Sequence, residues 1–309
     1  MKIEAPFHAG EIEAQRLAGE SVTALRNSAV IADTIMRGAL PFLAAQNMAV
    51  LASRSEDGRL WASIVFGAPG FLSSPDGREA LLDRKAVWED PNDPLWANLH
   101  AGAAAGMLAI DLSTRRRLRV NGTVTRADGD AITLAVGEAF PNCPKYIQRR
   151  RLRLEGERKP NGEGVAGGES VTEEAAQILD EADTFFLATA HPERGLDVSH
   201  RGGAPGFLER LDERTIHVPD YPGNGMFTTL GNLLVDPRAG VTVLDFARGR
   251  MLQMSGTAKV EWDAPDQRGQ TGGTGRFWEY SIDSWRILSL PVNAVWEFID
   301  ASPYNPVAR

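Results

Sequence analysis

The sequence predicts a mainly β protein made of two tandem copies of one barrel- or sandwich-type domain. The first observation is an internal repeat, because the hexapeptide Gly-Ala-Pro-Gly-Phe-Leu occurs at 67–72 and again at 203–208. A second, looser pair, at 118–123 and 252–257, has nearly the same spacing. Two pairs in the same order at nearly one offset indicate a duplication. The third observation is a series of short apolar segments bounded by turn residues, which is typical of all-β folds.

The predicted strands follow the same order in both halves. Turn clusters at 55–58 (Ser-Glu-Asp-Gly) and 192–195 (Pro-Glu-Arg-Gly) predict a hairpin near the start of each half. The strands are predicted at 48–53, 59–66, 107–112 and 118–126, at 184–190, 196–201, 241–246 and 251–262, and at 287–290.

Helices are predicted in fewer places. One is expected over 10–37, broken near Gly19, one over 172–181, and a short one over 228–235 that ends before Asp236-Pro237. The segment around 155–169, rich in glycine and charge, indicates a linker.

These segments define the domain organisation. We expect the N-terminal helix and first repeat in residues 1–152, a linker at 153–171, and in 172–309 a second repeat that carries the main site.

Composition narrows the class of protein. A length of 309 residues suits about two domains. The net charge of −8 argues against non-specific nucleic-acid binding, which depends on clustered Lys and Arg. Cys143 is the single cysteine, and neither a signal-peptide core nor an apolar run of about 20 residues is present. We therefore expect a cytoplasmic protein that does not contact membranes.

The first candidate site is the segment 197–203. In a strand, Ser199 and Arg201 share one face, and a hydroxyl beside a guanidinium suits a phosphate group. Gly202 and Gly203 allow a ligand to approach the backbone closely. An ordinary surface strand with an exposed arginine explains these residues equally well.

The second candidate is the loop 219–225, which contains Asp220, Gly223 and Asn224 and leads into the predicted helix at 228–235. The N-terminus of a helix attracts anions, and a glycine-containing lead-in exposes backbone N–H groups. On these residues alone, a plain turn with a helix cap explains the loop better.

The order of these segments carries a family resemblance. In the second half, the stretches 199–207, 219–224, 230–233, 236–240 and 252–257 resemble the FMN-binding split-barrel proteins of the pyridoxamine 5'-phosphate oxidase-like superfamily. In the first half, four stretches resemble the same family: 61–63, 67–72, 114–122 and 140–148. Together these motifs cover most of residues 8–300, and they are specific as a set rather than singly.

The resemblance implies two tandem Greek-key split β-barrels with flavin mononucleotide (FMN) at an interface between barrels, and a homodimer is expected. The strand carrying Arg201 and the loop before the short helix would hold the phosphate. The implied cofactor-binding residues are Ser199, His200, Arg201, Gly202, Gly203, Asp220, Gly223, Asn224, Asn232, Lys145, Gln148 and Trp285.

Three of these residues lie outside the phosphate motifs. Lys145 and Gln148 are expected on a basic helix that starts at Pro144, for which a solvated basic face is the alternative. Trp285 is a candidate for stacking on the flavin ring, with core packing as the alternative. The equivalent of Ser199-His200-Arg201 in the first repeat is Ser63-Ile64-Val65, so we predict one flavin site per chain.

The function expected from this resemblance is an FMN-dependent oxidoreductase that acts on an unidentified small molecule and exchanges electrons with NAD(P)H or oxygen. Family oxidases have basic residues where this chain has Gly223-Asn224-Gly225, so pyridoxamine phosphate is not the expected substrate. The alternatives are a non-catalytic flavin-binding or storage module, and a barrel that binds haem or a deazaflavin. The histidine spacings indicate no metal site.

Overall fold

The computed structural model describes residues 6–158 and 165–306. Its strands are β1 Met48–Arg54, β2 Leu60–Gly67, β3 Leu72–Ser73, β4 Glu79–Asp83, β5 Val87–Trp88, β6 Ala104–Asp111, β7 Arg116–Ala127, β8 Ala131–Pro141, β9 Arg149–Glu157, β10 Ala166–Gly168, β11 Thr184–His191, β12 Gly195–Gly202, β13 Glu209–Arg210, β14 Thr215–Pro219, β15 Arg238–Asp245, β16 Arg250–Glu261, β17 Phe277–Ser289 and β18 Val292–Asp300. The α-helices are α1 Ala9–Leu17, α2 Ser21–Asn27, α3 Leu40–Ala44, α4 Leu95–Asn98, α5 Glu173–Glu181 and α6 Thr228–Val235.

The two repeats have the same sheet topology. The first sheet contains the order β4-β8-β7-β6-β1-β2, and the second contains β14-β17-β16-β15-β11-β12, all antiparallel. Each strand in the first order has its counterpart at the same place in the second order. The predicted fold, mainly β with two tandem split barrels, is therefore confirmed.

The repeated hexapeptide forms the same turn in both repeats. Its second glycine, Gly70 or Gly206, has a left-handed backbone with φ of 97° or 84°, which favours glycine. Its first glycine, Gly67 or Gly203, lies under the ring of the phenylalanine four residues later, and a Cβ at Gly203 would lie 2.6 Å from that ring. Backbone strain and close packing thus explain why the motif occurs twice.

The second repeated motif marks a β-bulge. The register shifts between Asn121 and Gly122 where β7 pairs with β8, and between Ser255 and Gly256 where β16 pairs with β17. A side chain at either glycine would overlap a carbonyl oxygen of the neighbouring strand. The bulge bends the long hairpin at the same point in each repeat.

Each repeat has its own apolar core, and a third core joins them. The third core packs one face of β1, β2 and β6 against the matching face of β11, β12 and β15. Since these are equivalent faces, the contact between the repeats has an approximate twofold symmetry. This symmetry creates two equivalent places along the contact, and at each of them residues from both repeats come together.

Several local predictions differ from the structure. The helical region predicted over 10–37 consists of α1 and α2 followed by a short 3-10 turn that ends at Val30. The predicted linker at 153–171 is partly strand, because β9 pairs with β18 and β10 pairs with β17; residues 159–164 of it lie outside the described part. No helix in the described residues is long and apolar enough to cross a membrane.

Candidate functional site

A cleft lies where the end of β12 and the loop before α6 meet β7 of the first repeat. Both repeats therefore build it from one chain. Its lining includes Arg117, Arg119, Asn142, Cys143, Lys145 and Tyr146 from the first repeat and its exit, and Ser199 to Gly202, Phe207, Pro219 to Tyr221, Gly223 to Leu230 and Arg276 from the second. Five of these side chains are Arg or Lys, and one, Asp220, is a carboxylate.

The second repeat places two arginines on one carboxylate. Arg201 donates from Nη1 to Asp220 Oδ1 at 2.7 Å, and Arg276 donates from Nε to Asp220 Oδ2 at 3.0 Å. Asp220 directly follows β14, and its backbone N–H donates to the carbonyl of Arg276. Because a single carboxylate neutralises only one of two guanidinium groups, this side of the cleft keeps a net positive charge.

The first repeat contributes two more arginines from β7. Arg117 and Arg119 alternate with Leu118 and Val120, which face the core of the first repeat. Arg119 forms an ion pair with the buried Asp197 at 3.2 Å. Arg117 donates to the carbonyl oxygens of His200 and Cys143, and within the described residues it pairs with no carboxylate.

The cleft concentrates buried polar atoms that have no hydrogen-bond partner within the described residues. They are Nε of Arg117, Arg119 and Arg201, Nη2 of Arg276, Nε2 of His200 and Oδ1 of Asn142. A buried donor without an acceptor costs about 1–3 kcal/mol. Four of the six belong to guanidinium groups, so the donor set fits an anionic ligand such as a phosphate ester.

Burial and like charge shift two pKa values in the cleft. The pKa of Arg117 is lowered to about 9, first by burial and then by the neighbouring Arg119 and Arg201. Burial, followed by the charges of Arg117 and Arg201, holds the pKa of His200 well below its usual value. His200 is therefore a neutral imidazole at pH 7, and an anion in the cleft would relieve the repulsion among the arginines.

The wall opposite β7 is formed by the start of α6. The Thr229 hydroxyl lies 3.1 Å from that of Ser199, and the first backbone N–H groups of α6 face this region. Phe227, the residue before the helix, has a left-handed backbone with φ of 62° and lies under the Arg276 guanidinium, 5.0 Å from it. This strained residue brings an aromatic side chain to the cleft.

The N-terminal helices hold the loop that closes the cleft. Gln15 of α1 donates from Nε2 to the Met226 carbonyl at 3.0 Å, and Asn27 of α2 donates from Nδ2 to the Asn224 carbonyl at 2.6 Å. Asn224 in turn accepts from the Met226 backbone N–H at 3.1 Å. Helices α1 and α2 thus fix a loop of the second repeat.

Most of the residues named from sequence meet in this cleft. Those that line it are Ser199, His200, Arg201, Gly202, Asp220, Gly223, Asn224 and Lys145. Four lie elsewhere: Gly203, Gln148, Asn232 and Trp285. Gly203 packs under Phe207 and beside Tyr221, and Asn232 donates to Thr189 and contacts His8 on the far side of α6.

The helix expected at Pro144 does not form. Residues 145–146 form a turn in which Tyr146 has a φ of 64°, and β9 begins at Arg149, so Lys145 and Gln148 do not share a helical face. Lys145 reaches the cleft, whereas Gln148 is buried and bonds to backbone and to Asn305. The strand pairing of β9 with β18 outweighs local helix propensity here.

Trp285 has the packing role that was weighed against flavin stacking. Its indole Nε1 donates to the Ser170 carbonyl at 2.9 Å, and its ring belongs to the core of the second repeat. It lies outside the residues that line the cleft.

Sequence reasoning missed Arg117, Arg119 and Arg276. The signal for the first two was present, because Arg117, Arg119 and Asn121 recur at every second position of a predicted strand. A strand that presents charge on one face and Leu118 and Val120 on the other places that charge against another surface. Arg276 carried no comparable signal, since it lies in a loop before β17.

The twofold counterpart of this cleft is closed. Register places Ser63 of β2 at the position of Ser199, and Gln253 of β16 at the position of Arg119. Between them lies Asp93, which is only 4% exposed. It accepts from the Ser63 hydroxyl at 2.6 Å, the Leu95 backbone N–H at 2.9 Å and Gln253 Nε2 at 3.0 Å.

Residues 171–275 match the family of pyridoxamine 5'-phosphate oxidase. The match covers about a third of the chain and lies within the second repeat and the segment just before it. The matched residues contain β11 to β16 and α6, and therefore every cleft residue of the second repeat except Arg276. No curated protein matches the chain.

Solved structures resemble the chain over about two-fifths of its length. HupZ of Group A Streptococcus is 13% identical, with 43% of this chain and 98% of that one covered and a TM-score of 0.30. An FAD-binding protein of Mesorhizobium loti is 16% identical, with 40% and 99% covered and a TM-score of 0.28. A Clostridium acetobutylicum protein of the pyridoxinephosphate oxidase family is 8% identical, with 41% and 92% covered and a TM-score of 0.30.

Proposed function

We propose that the cleft binds one FMN per chain and that the protein is an FMN-dependent oxidoreductase acting on a small molecule. The observation that supports this most is the group of unpartnered arginine nitrogens, which converge from both repeats on one cleft. The similarity of residues 171–275 to the pyridoxamine 5'-phosphate oxidase family supports a flavin as the ligand, and the donor set suits the phosphate of FMN. Both repeats of one chain line the cleft.

Each side of the cleft would have its own role. Arg117, Arg119 and Arg201, with Ser199 and the first N–H groups of α6, would hold the phosphate. Asp220 orients Arg201 and Arg276, since it receives one hydrogen bond from each. The charge of the phosphate would offset the mutual repulsion that lowers the pKa of Arg117.

Aromatic side chains would border the ring system. The Tyr146 and Tyr221 rings lie 4.8 Å apart, and Phe207 and Phe227 also line the cleft. Burial raises the pKa of Tyr146 to about 12 and that of Tyr221 still further, so both hydroxyls stay protonated at neutral pH. These residues would position a flavin and exclude water from it, and the flavin would supply the hydride chemistry.

The test is an absorption spectrum of the freshly purified protein, followed by heat release and chromatography of the released compound. Flavin bands with FMN in the supernatant are expected. The Arg201→Ala variant should lose the colour, and Arg210→Ala, an exposed arginine paired with Asp180, should keep it. A colourless protein that also fails to take up added FMN would exclude this function.

Two outcomes separate the alternatives. The Nε2 atom of His200 is buried and has no hydrogen-bond partner among the described residues, and its ring is neutral at pH 7, as the ring of an axial haem ligand would be. A Soret band that His200→Gln abolishes would therefore support haem instead. Bound FMN that excess NAD(P)H fails to reduce, with oxygen excluded, would support a flavin-binding or storage module.

A further inference from the structure

The closed counterpart of the cleft is built like an anion site whose ligand comes from the protein itself. The Asp93 carboxylate is buried, and three donors from two repeats converge on its oxygens. Burial is the main cause that raises its pKa, to about 6, so at pH 7.5 it is an anion. Its environment therefore provides what an external carboxylate would need.

The register of the two sheets shows that the two side-chain donors, Ser63 and Gln253, are equivalent to cleft residues. Ser63 pairs with Leu51 as Ser199 pairs with Leu187. Gln253 pairs with Thr242 as Arg119 pairs with Leu108, so each reaches across to the other repeat from the same strand position. The two sets of donors thus occupy matching places about the twofold axis.

The residues around Asp93 show how one position closed. The counterparts of Arg117 and Arg201 are Met251 and Val65, which are both buried in apolar cores. At the offset of the second repeated motif, the counterpart of Phe227 is Asp93 itself. The half-buried Arg286 interacts electrostatically with Asp93, and its Nη1 donates to the Asn92 carbonyl at 3.2 Å.

We propose that Asp93 is a built-in ligand, and that its carboxylate fills a second anion-binding site equivalent to the cleft. Without that carboxylate, the donors of Ser63, Leu95 and Gln253 would bind a small external carboxylate. Formate is the smallest such ion. The Oε1 atom of Gln253 is buried and has no hydrogen-bond partner in the described residues. The position of this amide is therefore set by the hydrogen bonds that its Nε2 donates. This inference does not depend on what the cleft binds.

The experiment is chemical rescue of Asp93→Ala. Thermal unfolding is measured at pH 7.5 with increasing sodium formate, against sodium chloride at equal ionic strength. We expect the Tm of the variant to fall by roughly 2–10 °C without formate. Formate should then raise it along a saturating curve, and by more than it raises the Tm of the wild-type protein or of Asp93→Asn, whose amide fills the space.

Two results would overturn the proposal: an Asp93→Ala protein as stable as the wild type, or one whose Tm responds to formate no more than the wild type does. If Asp93→Ala is insoluble, Asp93→Ser, whose hydroxyl can still accept from the Leu95 N–H, is titrated in its place under the same criteria. Combining Asp93→Ala with Arg201→Ala separates the two sites. The double variant should keep the formate response whether or not the cleft holds FMN.

Discussion

The cleft and its closed counterpart start from the same strands and the same serine, yet they treat charge in opposite ways. The cleft collects Arg117, Arg119, Arg201 and Arg276 against two carboxylates, Asp197 and Asp220, and within the described residues it leaves guanidinium nitrogens without a hydrogen-bond partner. The counterpart surrounds Asp93 with mostly neutral donors and satisfies both of its oxygens. The same duplicated fold thus leaves one position open and rich in arginine, and closes the equivalent position around a carboxylate.

The energetic consequence is also opposite. In the cleft, buried charge without a partner destabilises the free protein and favours a ligand. In the counterpart, the same geometry is satisfied internally and contributes to the packing of the two repeats. Substitutions at equivalent positions should therefore affect ligand binding in one place and stability in the other.

The largest effect is expected for Arg117→Met, which introduces the residue found at the equivalent position, Met251. Loss of a charged donor should weaken FMN binding by about 10- to 150-fold, corresponding to about 1.5–3 kcal/mol. The free protein should be more stable by about 1–4 kcal/mol, because a buried cation without a carboxylate partner is removed. Fluorescence titration with FMN and urea unfolding measure the two quantities.

The decisive feature of the Arg117→Met result is that FMN affinity falls while the free energy of unfolding rises. Loss of affinity together with loss of stability would mean that Arg117 supports the fold rather than the ligand. The exposed Arg151, which pairs with Glu297, offers a control, since Arg151→Met should change neither quantity appreciably.

Next in size is the matched pair Ser63→Ala and Ser199→Ala. At pH 7.5, Ser63→Ala should lower the free energy of unfolding by about 1–3 kcal/mol, because the buried Asp93 carboxylate loses a donor at 2.6 Å. The loss should be smaller at pH 5, below the Asp93 pKa of about 6, since the protonated group needs that donor less.

The second member of the pair should behave differently. Ser199→Ala should lower the free energy of unfolding by about 0.5–1.5 kcal/mol, since the buried hydrogen bond with Thr229 is lost, and weaken FMN binding by roughly 2- to 13-fold. Urea unfolding and FMN titration of both variants provide the check. Equal effects of both substitutions on FMN affinity would contradict the difference between the two sites.

The third prediction concerns His200, whose equivalent in the closed half is the apolar Ile64. Because its folded pKa lies well below the unfolded value of about 6.5, the unfolded chain alone takes up a proton as the pH falls below that value. Above pH 6.5, His200 therefore causes no loss of stability. Below pH 6.5, the free energy of unfolding falls by about 1.4 kcal/mol per pH unit because of His200.

Replacement of His200 by glutamine should remove that slope. Relative to its own value at pH 7.5, the variant should retain about 2 kcal/mol more stability at pH 5 than the wild type retains. Urea unfolding at the two pH values measures this difference. His8, whose pKa burial and His191 lower to about 4, contributes a slope of the same sign and stays intact in both proteins. Parallel pH profiles would show that His200 is protonated in the folded state.

The sequence predicted the duplicated β fold because both of its signals are local. Gly67 and Gly203 allow a ring to pack on the backbone, and Gly70 and Gly206 permit a left-handed turn, so the same hexapeptide specifies the same turn twice. Short apolar segments bounded by turn residues then predicted the strands around these turns. The cleft residues of β12 and of the loop at 219–225 were named through the family resemblance, since the residues alone did not decide between a ligand site and an ordinary strand or turn.

The rest of the site depends on contacts that cross between repeats. Arg117 and Arg119 belong to strand β7 of the first repeat but line a cleft together with residues of the second repeat. The pattern within β7 does not indicate which surface these arginines contact. The helix expected at Pro144 failed similarly, since β9 is fixed by pairing with the distant β18. Asp93 was missed because a lone aspartate before a short helix reads as a cap, and only register reveals its position opposite Ser63.

The smallest effect is expected at the contact between α2 and the cleft loop. Asn27→Ala removes the hydrogen bond to the Asn224 carbonyl, worth about 0.5–1.5 kcal/mol. Because this bond fixes a loop that borders the cleft, FMN affinity should fall by about two- to tenfold, mainly through faster dissociation. Stopped-flow release of FMN measures this rate. The control is Ser28→Ala, whose hydroxyl bonds only to the Leu25 carbonyl of its own turn. If both variants release FMN at the wild-type rate, the N-terminal helices do not hold the loop closed over the ligand.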